Sequence, residues 1–356
     1  MTFLDLPGVV GGADVQATAD AIAEWQLPCG MIPWFPGGHA DPWNHVEATM
    51  ALTLAGHHAE AERAFEWLAR LQRPDGAWHQ YYLADRVEQD KLDTNVCAFV
   101  ATGVWHRWLC TRDRGFVEWA WPMVERAIDF VLDLQTPRGE IIWARHADGT
   151  PWSFALLTGS SSMCHSLRSA IALADLLGHE RPDWELSASQ LADVIRHHEA
   201  DAFAPKHRWA MDWYYPVLTG VATGDEGRQR LEARHDAFVM DGRGVRCVAD
   251  RPWVTVAETC EYALASLAVG LEGQARTLFE WAQQFRTADG RYWTGTVYPN
   301  ESRFPADERS TYTAAAVVLT ADALTGASPA SGLFTRHDTV LPPLFRTDDT
   351  DEPVRD

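Results

Sequence analysis

RAFEWLARLQRPDGAW, from Arg63 to Trp78, reads as the end of a helix and the turn that stops it. Apolar residues recur at helical spacing over 58–72. Gln72 is placed to cap backbone groups at the helix end, Gly76 permits the turn, and Trp78 packs over it. The pattern is R-A-x2-aromatic-aliphatic-x3-Q-x3-G-x-W. It returns in RAIDFVLDLQTPRGEIIW, Arg126 to Trp143, which keeps Gln135 and Gly139 but displaces the Trp. A third copy, TLFEWAQQFRTADGRYW, keeps Trp281 and Asp289-Gly290, with Arg286 in place of the Gln.

The same periodicity predicts twelve helices, near 14–26, 42–56, 58–72, 91–110, 116–135, 160–178, 183–200, 210–222, 226–240, 255–270, 272–286 and 308–326. No run of alternating strand residues stands out. Asp41-Pro42 opens the second helix, and Gly56, Gly178 and Gly270 close three of the even-numbered ones. Linkers alternate: short after even helices, long after odd ones. Even helices start roughly 45–70 residues apart, a degenerate repeat of helical hairpins. Six hairpins predict an all-α fold, an (α/α)6 toroid, with even helices inside and odd ones outside. All long loops then gather at one end. The toroid is expected over residues 1–326, with 327–356 an acidic, Pro-containing C-terminal tail.

The three Gln–Gly–Trp segments resemble the QW repeats of the terpenoid-cyclase and protein-prenyltransferase toroids. The architecture is also similar to that of six-hairpin glycosidases, polysaccharide lyases and sugar epimerases. The resemblance implies the toroid, and the motif itself is structural. The chemical marks of the QW-repeat enzymes are missing. The nearest approach to a DxDD acid motif, Asp348-Asp349-Thr350-Asp351, lies in the acidic tail. Glu258-Thr259-Cys260 imitates two zinc ligands, but Ser310, Thr311 and Tyr312 stand where the late His is expected. No diphosphate-binding DDxxD, Walker loop or GxGxxG follows. Neither metal nor cofactor is expected.

Acidic residues outnumber basic ones 50 to 30, for a formal charge of -20. That balance disfavours nucleic acid and anionic membrane surfaces, both of which need basic patches. No apolar window of about 18 residues predicts an integral membrane segment. The N-terminus lacks the basic and apolar regions of a signal peptide, so a cytoplasmic protein is expected. The six scattered cysteines then read as buried thiols. The 17 tryptophans cluster in loop-like stretches such as PWFPGG, PDGAWHQYY and DGRYWTGTVYP, where aromatic rings can floor a sugar or carbocation pocket.

Inner-helix starts bring acids to a common mouth: Asp41 and Glu47, Asp93, Asp212, Glu258 and Glu261, Glu308. Asp41 and Asp93 equally suit N-caps, each stabilising by about 1 kcal/mol. Paired carboxylates between aromatic walls are what glycoside chemistry requires. The expected catalytic set is Asp93, Glu258, Glu261, Asp212 and Glu308. Glu258 is the candidate general acid, because Glu261 shares its helical face, and Asp93 is the candidate base or nucleophile. Trp43, His45, Glu47, Asn95, His165, Tyr214, Tyr215, Trp253, Trp293, Tyr298 and Tyr312 are expected to bind a small-molecule or oligosaccharide substrate. His45 or His165 is an alternative base for a lyase or epimerase. Ser160-Ser161-Ser162 with His165 suggests a serine hydrolase, but no GxSxG elbow is present. The sequence therefore favours a carbohydrate-active enzyme. A prenyltransferase or terpenoid-cyclase-like enzyme and a non-catalytic binding protein are the alternatives.

Overall fold

A computed structural model describes residues 4–344. Among them, twelve helices of nine residues or more follow the expected order: α1 Gly12–Trp25, α2 Pro42–Leu54, α3 His58–Leu71, α4 Thr94–Thr111, α5 Arg114–Leu132, α6 Leu157–Leu177, α7 Pro182–His197, α8 Ala210–Leu218, α9 Gly224–Glu232, α10 Val256–Ala268, α11 Glu272–Ala282 and α12 Thr311–Thr325. The even helices form a closed ring. Each of α2, α4, α6, α8, α10 and α12 packs on the next, and α12 packs back on α2. The odd helices lie outside them. Inner helices are buried on nearly every face, as in α6, where Gly159 through Ala174 is buried without a break. Outer helices bury one stripe, as in α3, where only Ala61, Ala64, Phe65, Trp67 and Leu68 are covered.

The Gln–Gly turn does more than end a helix. Gln72 Nε2 donates to Gly76 O at 2.9 Å and to Met123 O of α5 at 2.8 Å. Gln135 does the same to Gly139 O and Ser187 O of α7. Gln26, after α1, bonds Gly30 O and Glu60 O of α3, a copy of the motif that lacks its Trp. Each Gln therefore fastens the end of one outer helix to the next outer helix. Arg286, where the Gln is replaced, instead reaches Asp14 of α1 at 2.9 Å. Trp78 is fully buried, with its indole N–H on Leu68 O at 2.8 Å.

Short strands occur where none was expected: β1 Tyr81–Leu83, β2 Arg86–Gln89, β3 Leu92–Asp93, β4 Ala144–Arg145, β5 Val239–Met240, β6 Gly244–Arg246, β7 Trp253–Thr255, β8 Gly295–Val297 and β9 Ser302–Arg303. None exceeds four residues, too short for alternation to register. The strands β5 to β9 form one antiparallel sheet in chain order. The ninth helix, expected to run to 240, stops at Glu232 because Val239–Met240 turns back to pair with β6.

These strands and isolated bridges sew the long loops into a girdle. Ala40 pairs with Tyr82, Leu92 with Arg145, Ala155 with Phe203, Trp209 with Val248, and Trp253 with Val297. Thr311 N–H closes the circle on Trp34 O at 2.8 Å. All six long loops thus meet at one end of the ring.

The other end is closed by residues assigned from composition to a tail. His165 Nε2 meets Leu333 O at 3.0 Å, His337 Nε2 meets Leu218 O at 2.9 Å, and Arg168 Nε donates to Pro342 O at 2.7 Å. Leu333 and Leu341 are buried in the core. The boundary at 326 is therefore corrected: the chain to at least 344 packs on the toroid, because its apolar side chains plug the ring. Asp348 to Asp351 lie outside the described residues. All six cysteines are free. Cys97, Cys164, Cys247 and Cys260 are buried, but Cys29 is exposed, against expectation.

Candidate active site

The mouth opens into a cavity of about 520 Å3. The inner helices point the same way, so position along a helix reads as depth, about 1.5 Å per residue. At the rim, one or two residues past each helix start, stand Trp43, Asn95, Thr158, Asp212, Glu258 and Tyr312. Five residues past each start stand Glu47, Phe99, Ser162, Tyr215, Glu261 and Ala316, about 7 Å deep. Eight residues past the starts, four helices supply His165, Leu218, Leu264 and Leu319. With Phe334 of the C-terminal segment they form the floor, about 12 Å down.

Two acids cap inner helices at the rim. Asp41 Oδ1 accepts from Asn44 N–H at 3.0 Å, and its Oδ2 accepts from the Trp34 indole and the Asn44 amide, both at 2.7 Å. Asp93 Oδ1 accepts from Asn95 and Val96 N–H, and its Oδ2 lies 3.7 Å from Lys91 Nζ. Lys91 is itself stacked over Trp143 at 3.6 Å. Burial raises both aspartates above the ordinary carboxylate value, and the Lys91 charge opposes this only at Asp93. Asp212 takes the Thr158 hydroxyl at 2.7 Å. Glu258, half-buried, takes the Thr255 hydroxyl.

The middle layer holds a second pair. Glu261 accepts the hydroxyls of Tyr214 and, at 2.8 Å, Tyr215. Burial, with the negative Glu258 beside it, drives Glu261 up to about 8. Glu47, bonded by the Trp43 indole at 3.0 Å, is raised by burial and by repulsion from Glu261. Of the two acids on this helical face, Glu261 is the one that burial raises, whereas the sequence pointed to Glu258 as the acid.

Several expected residues do not line the cavity. His45 is a core histidine: Nδ1 meets Ile32 N–H and Nε2 meets Ala64 O, and burial lowers it to about 4. Tyr214 sits wholly behind Glu261. Glu308 precedes α12 rather than opening it and accepts the Thr294 hydroxyl at 2.9 Å. Trp293 lies under Arg303 and Arg309, and Tyr298 under Arg243. His165 reaches the floor, but both ring nitrogens face partners, Leu333 O and the Thr102 hydroxyl, and burial lowers it to about 3. Neither histidine suits a lyase or epimerase base. Ser160 to Ser162 lie inside α6, which begins at Leu157.

Loop aromatics were missed. Trp34, Tyr81, Trp143 and Trp209 line the cavity beside the expected Trp43, Trp253 and Tyr312. Tyr81 stacks on His39 at 4.4 Å, and Trp34 meets Tyr312 edge-on at 5.0 Å. The Trp-rich composition of these loops was the available signal, but loops have no period to give direction. The lining carries six carboxyl groups, Asp41, Glu47, Asp93, Asp212, Glu258 and Glu261, against Lys206 as its lysine. Such a lining suits a neutral polyol and repels a diphosphate. Among the described residues, no three His, Cys, Asp or Glu side chains converge as a metal site.

No family model matches the chain. A curated relative, the MMP endo-(1,4)-3-O-methyl-alpha-D-mannosidase of Mycolicibacterium hassiacum, is 50% identical over 329 residues, 92% of this chain and 91% of the relative. The chain belongs to that mannosidase's family. Solved structures agree on the fold at low identity. A wild-type glycosidase superposes with a TM-score of 0.69 at 14% identity, covering 88% of this chain and 96% of that one. The GH63 mannosylglycerate hydrolase of Thermus thermophilus gives 0.67 at 13%, covering 86% and 100%. The cellobiose 2-epimerase of Spirochaeta thermophila gives 0.63 at 12%, covering 87% and 95%.

This member of the mannosidase family is a glycoside-processing enzyme on the (α/α)6 toroid. These comparisons lend no support to the terpenoid-cyclase side of the QW resemblance; the Gln–Gly turn belongs to the scaffold. No helix among the described residues is long and apolar enough to cross a membrane.

The deep acids make the family member's stability depend on pH. The fold favours protonated Glu261, so its stabilisation is complete below about 4.5 and is lost as pH rises through about 8. Glu261→Gln removes that loss. Between pH 5 and pH 9 the thermal midpoint of the variant should gain on wild type by roughly 3 °C or more. Parallel curves for the two proteins would show that Glu261 does not titrate in this window.

Proposed function

We propose that the chain is an endo-acting hydrolase of (1,4)-linked 3-O-methyl-α-D-mannose chains. The observation that carries this reading is 50% identity, across 92% of the chain, to a mannosidase so named. Glu258 is the base or nucleophile. It is half-buried at the rim, where water reaches it, and it accepts the Thr255 hydroxyl. Asp41 is the proton donor. It is buried, its carboxyl is raised, and its bonded donors are all neutral, whereas Asp93 faces an ammonium group. The acid protonates the glycosidic oxygen as the C1–O bond breaks, and Glu258 supplies the electron pair, directly or through a water. Asp93 stands on α4, three places round the ring from Glu258 on α10 and so on the opposite wall. There it is the alternative partner of Glu258 and otherwise a substrate-positioning group. We place the enzyme in the cytoplasm, in keeping with six free cysteines.

The test is a defined (1,4)-linked 3-O-methyl-α-D-mannan oligosaccharide of about ten residues, with products sized by mass spectrometry. Internal cleavage predicts two oligosaccharide fragments from the first turnover. Release of single sugars from one end would replace the endo reading with an exo one, and no cleavage would remove the substrate assignment.

A further inference from the structure

The layering of the cavity bears on which edge of the substrate points inward. This inference rests on the 3-O-methyl-mannoside reading above. The middle layer carries two half-buried carboxyl groups, Glu47 and Glu261, both raised by desolvation. The floor beneath them is hydrocarbon on three sides, Leu218, Leu264 and Leu319, and Phe334 lies against His165 at 5.0 Å between ring centroids. His165 spends its Nε2 on Leu333 O, so it offers the cavity little beyond its ring face.

A hexopyranose joined through C1 and O4 leaves two free edges. One carries C2 and C3, the other the ring oxygen and C6. Cleavage at the rim, where Asp41 and Glu258 stand, requires one of these edges to face down the ring. The C6 hydroxymethyl would set a hydroxyl among Leu218, Leu264, Leu319 and Phe334, where the neighbouring Thr219 hydroxyl already donates to Tyr215 O, which is unfavourable. The opposite edge of a 3-O-methyl sugar offers one hydroxyl and one methyl ether side by side, and the cavity offers one acidic layer and one apolar floor in the matching order.

We infer that the sugar at the cleaved bond enters with its 2,3-edge down, its O2 hydroxyl held by Glu47 and Glu261 and its 3-O-methyl group seated on Leu218, Leu264, Leu319 and Phe334. The floor is then the specificity determinant for the methyl ether, and the C-terminal segment, by supplying Phe334, is part of it. The chain on either side leaves along the rim, where exposed Trp209 and Phe304 beside Trp253 give apolar platforms.

The experiment compares kcat/KM for two (1,4)-linked α-mannan oligosaccharides of equal length, one 3-O-methylated and one not. One methyl in an apolar pocket is worth ~10–200-fold, so wild type should prefer the methylated chain by that factor. Leu319→Asn and Leu264→Thr, which give a free 3-hydroxyl a partner, should each bring the ratio at least ~10-fold closer to one. A third substrate methylated only at O6 should be cleaved no better than the unmethylated chain. Equal rates on all three substrates, or a preference for the O6 ether, overturn the inference and leave the hydrolase reading standing. Cleavage of none of them defeats the hydrolase reading itself. A wild-type preference that survives unchanged in both folded floor variants also overturns the inference.

Discussion

Asp41→Asn and Glu258→Gln should each lower kcat/KM by about 10²–10⁴-fold, the range general acid–base groups supply. The thermal midpoint of Glu258→Gln should stay within about 2 °C of wild type, whereas that of Asp41→Asn should fall by a few degrees, because its NH2 would face the Trp34 indole and Asn44 amide donors. The two halves of that expectation come from different physics. Asp41 caps α2 through Asn44 N–H, and Asn caps a helix about as well as Asp, so the fold keeps its cap while losing its proton. Glu258 is half-buried and bonded to one hydroxyl, which a Gln carbonyl also accepts. An oligosaccharide with an activated aryl leaving group separates the roles. It needs no protonation, so it should restore much of the rate to Asp41→Asn and none to Glu258→Gln. Asp93→Asn, which loses its pairing with Lys91 and weakens its bond from Trp143, should cost less than about tenfold. If instead Asp93→Asn shows the large loss and the aryl rescue while Asp41→Asn stays active, Asp93 is the acid.

The sequence carried the ring because the ring is written in periodic features. Inner helices keep apolar residues all round, outer ones keep a stripe, and the Gln–Gly turn recurs where outer helices end. The twelve starts follow from those signals to within a few residues. Its expectation of no strands failed because two- to four-residue strands pair across the chain, as Leu92 does with Arg145, and have no local period. The expected tail failed because acidic composition masked Leu333 and Leu341, whose burial depends on a hole only the closed ring creates, and Phe334, which lines the cavity.

The site was legible to the extent that helix starts converge. Asp93, Asp212, Glu258, Glu261 and Glu47 were placed at one mouth from spacing alone, and all line the cavity. Helical phase decides the rest, and a boundary shifted by three residues changes it. Glu308 falls outside α12 for this reason. His45 falls behind the wall, on Ile32 and Ala64, because α2 presents Trp43 and Glu47 to the cavity. The assignment of protons within the acid cluster depends on burial, which spacing does not encode.

Gly76→Ala should be among the most damaging small substitutions in the turn motif. Gly76 has φ +86, and a Cβ there would lie 2.1 Å from Arg126 O of α5. Two costs add. The left-handed backbone costs an L residue about 1–2 kcal/mol, and a backbone carbonyl, unlike a side chain, has no rotamer by which to withdraw. Relief requires α5 to move away from the turn, which stretches the Gln72 bond to Met123 O on the same helix. Together they should exceed about 3 kcal/mol, lowering the thermal midpoint by roughly 4 °C or more in a chain of this size. Gly290→Ala is the control. It has a similar φ of +82, but its Cβ would meet Ala17 at 3.0 Å, and Arg286 there replaces the Gln. The backbone cost is shared, so the difference in midpoint between the two variants reads the tighter approach at Gly76, 2.1 Å against 3.0 Å. Gly76→Ala should melt about 2 °C or more below Gly290→Ala. Coincident melting would mean that turn conformation, and not the contact between neighbouring outer helices, is what requires glycine in this motif.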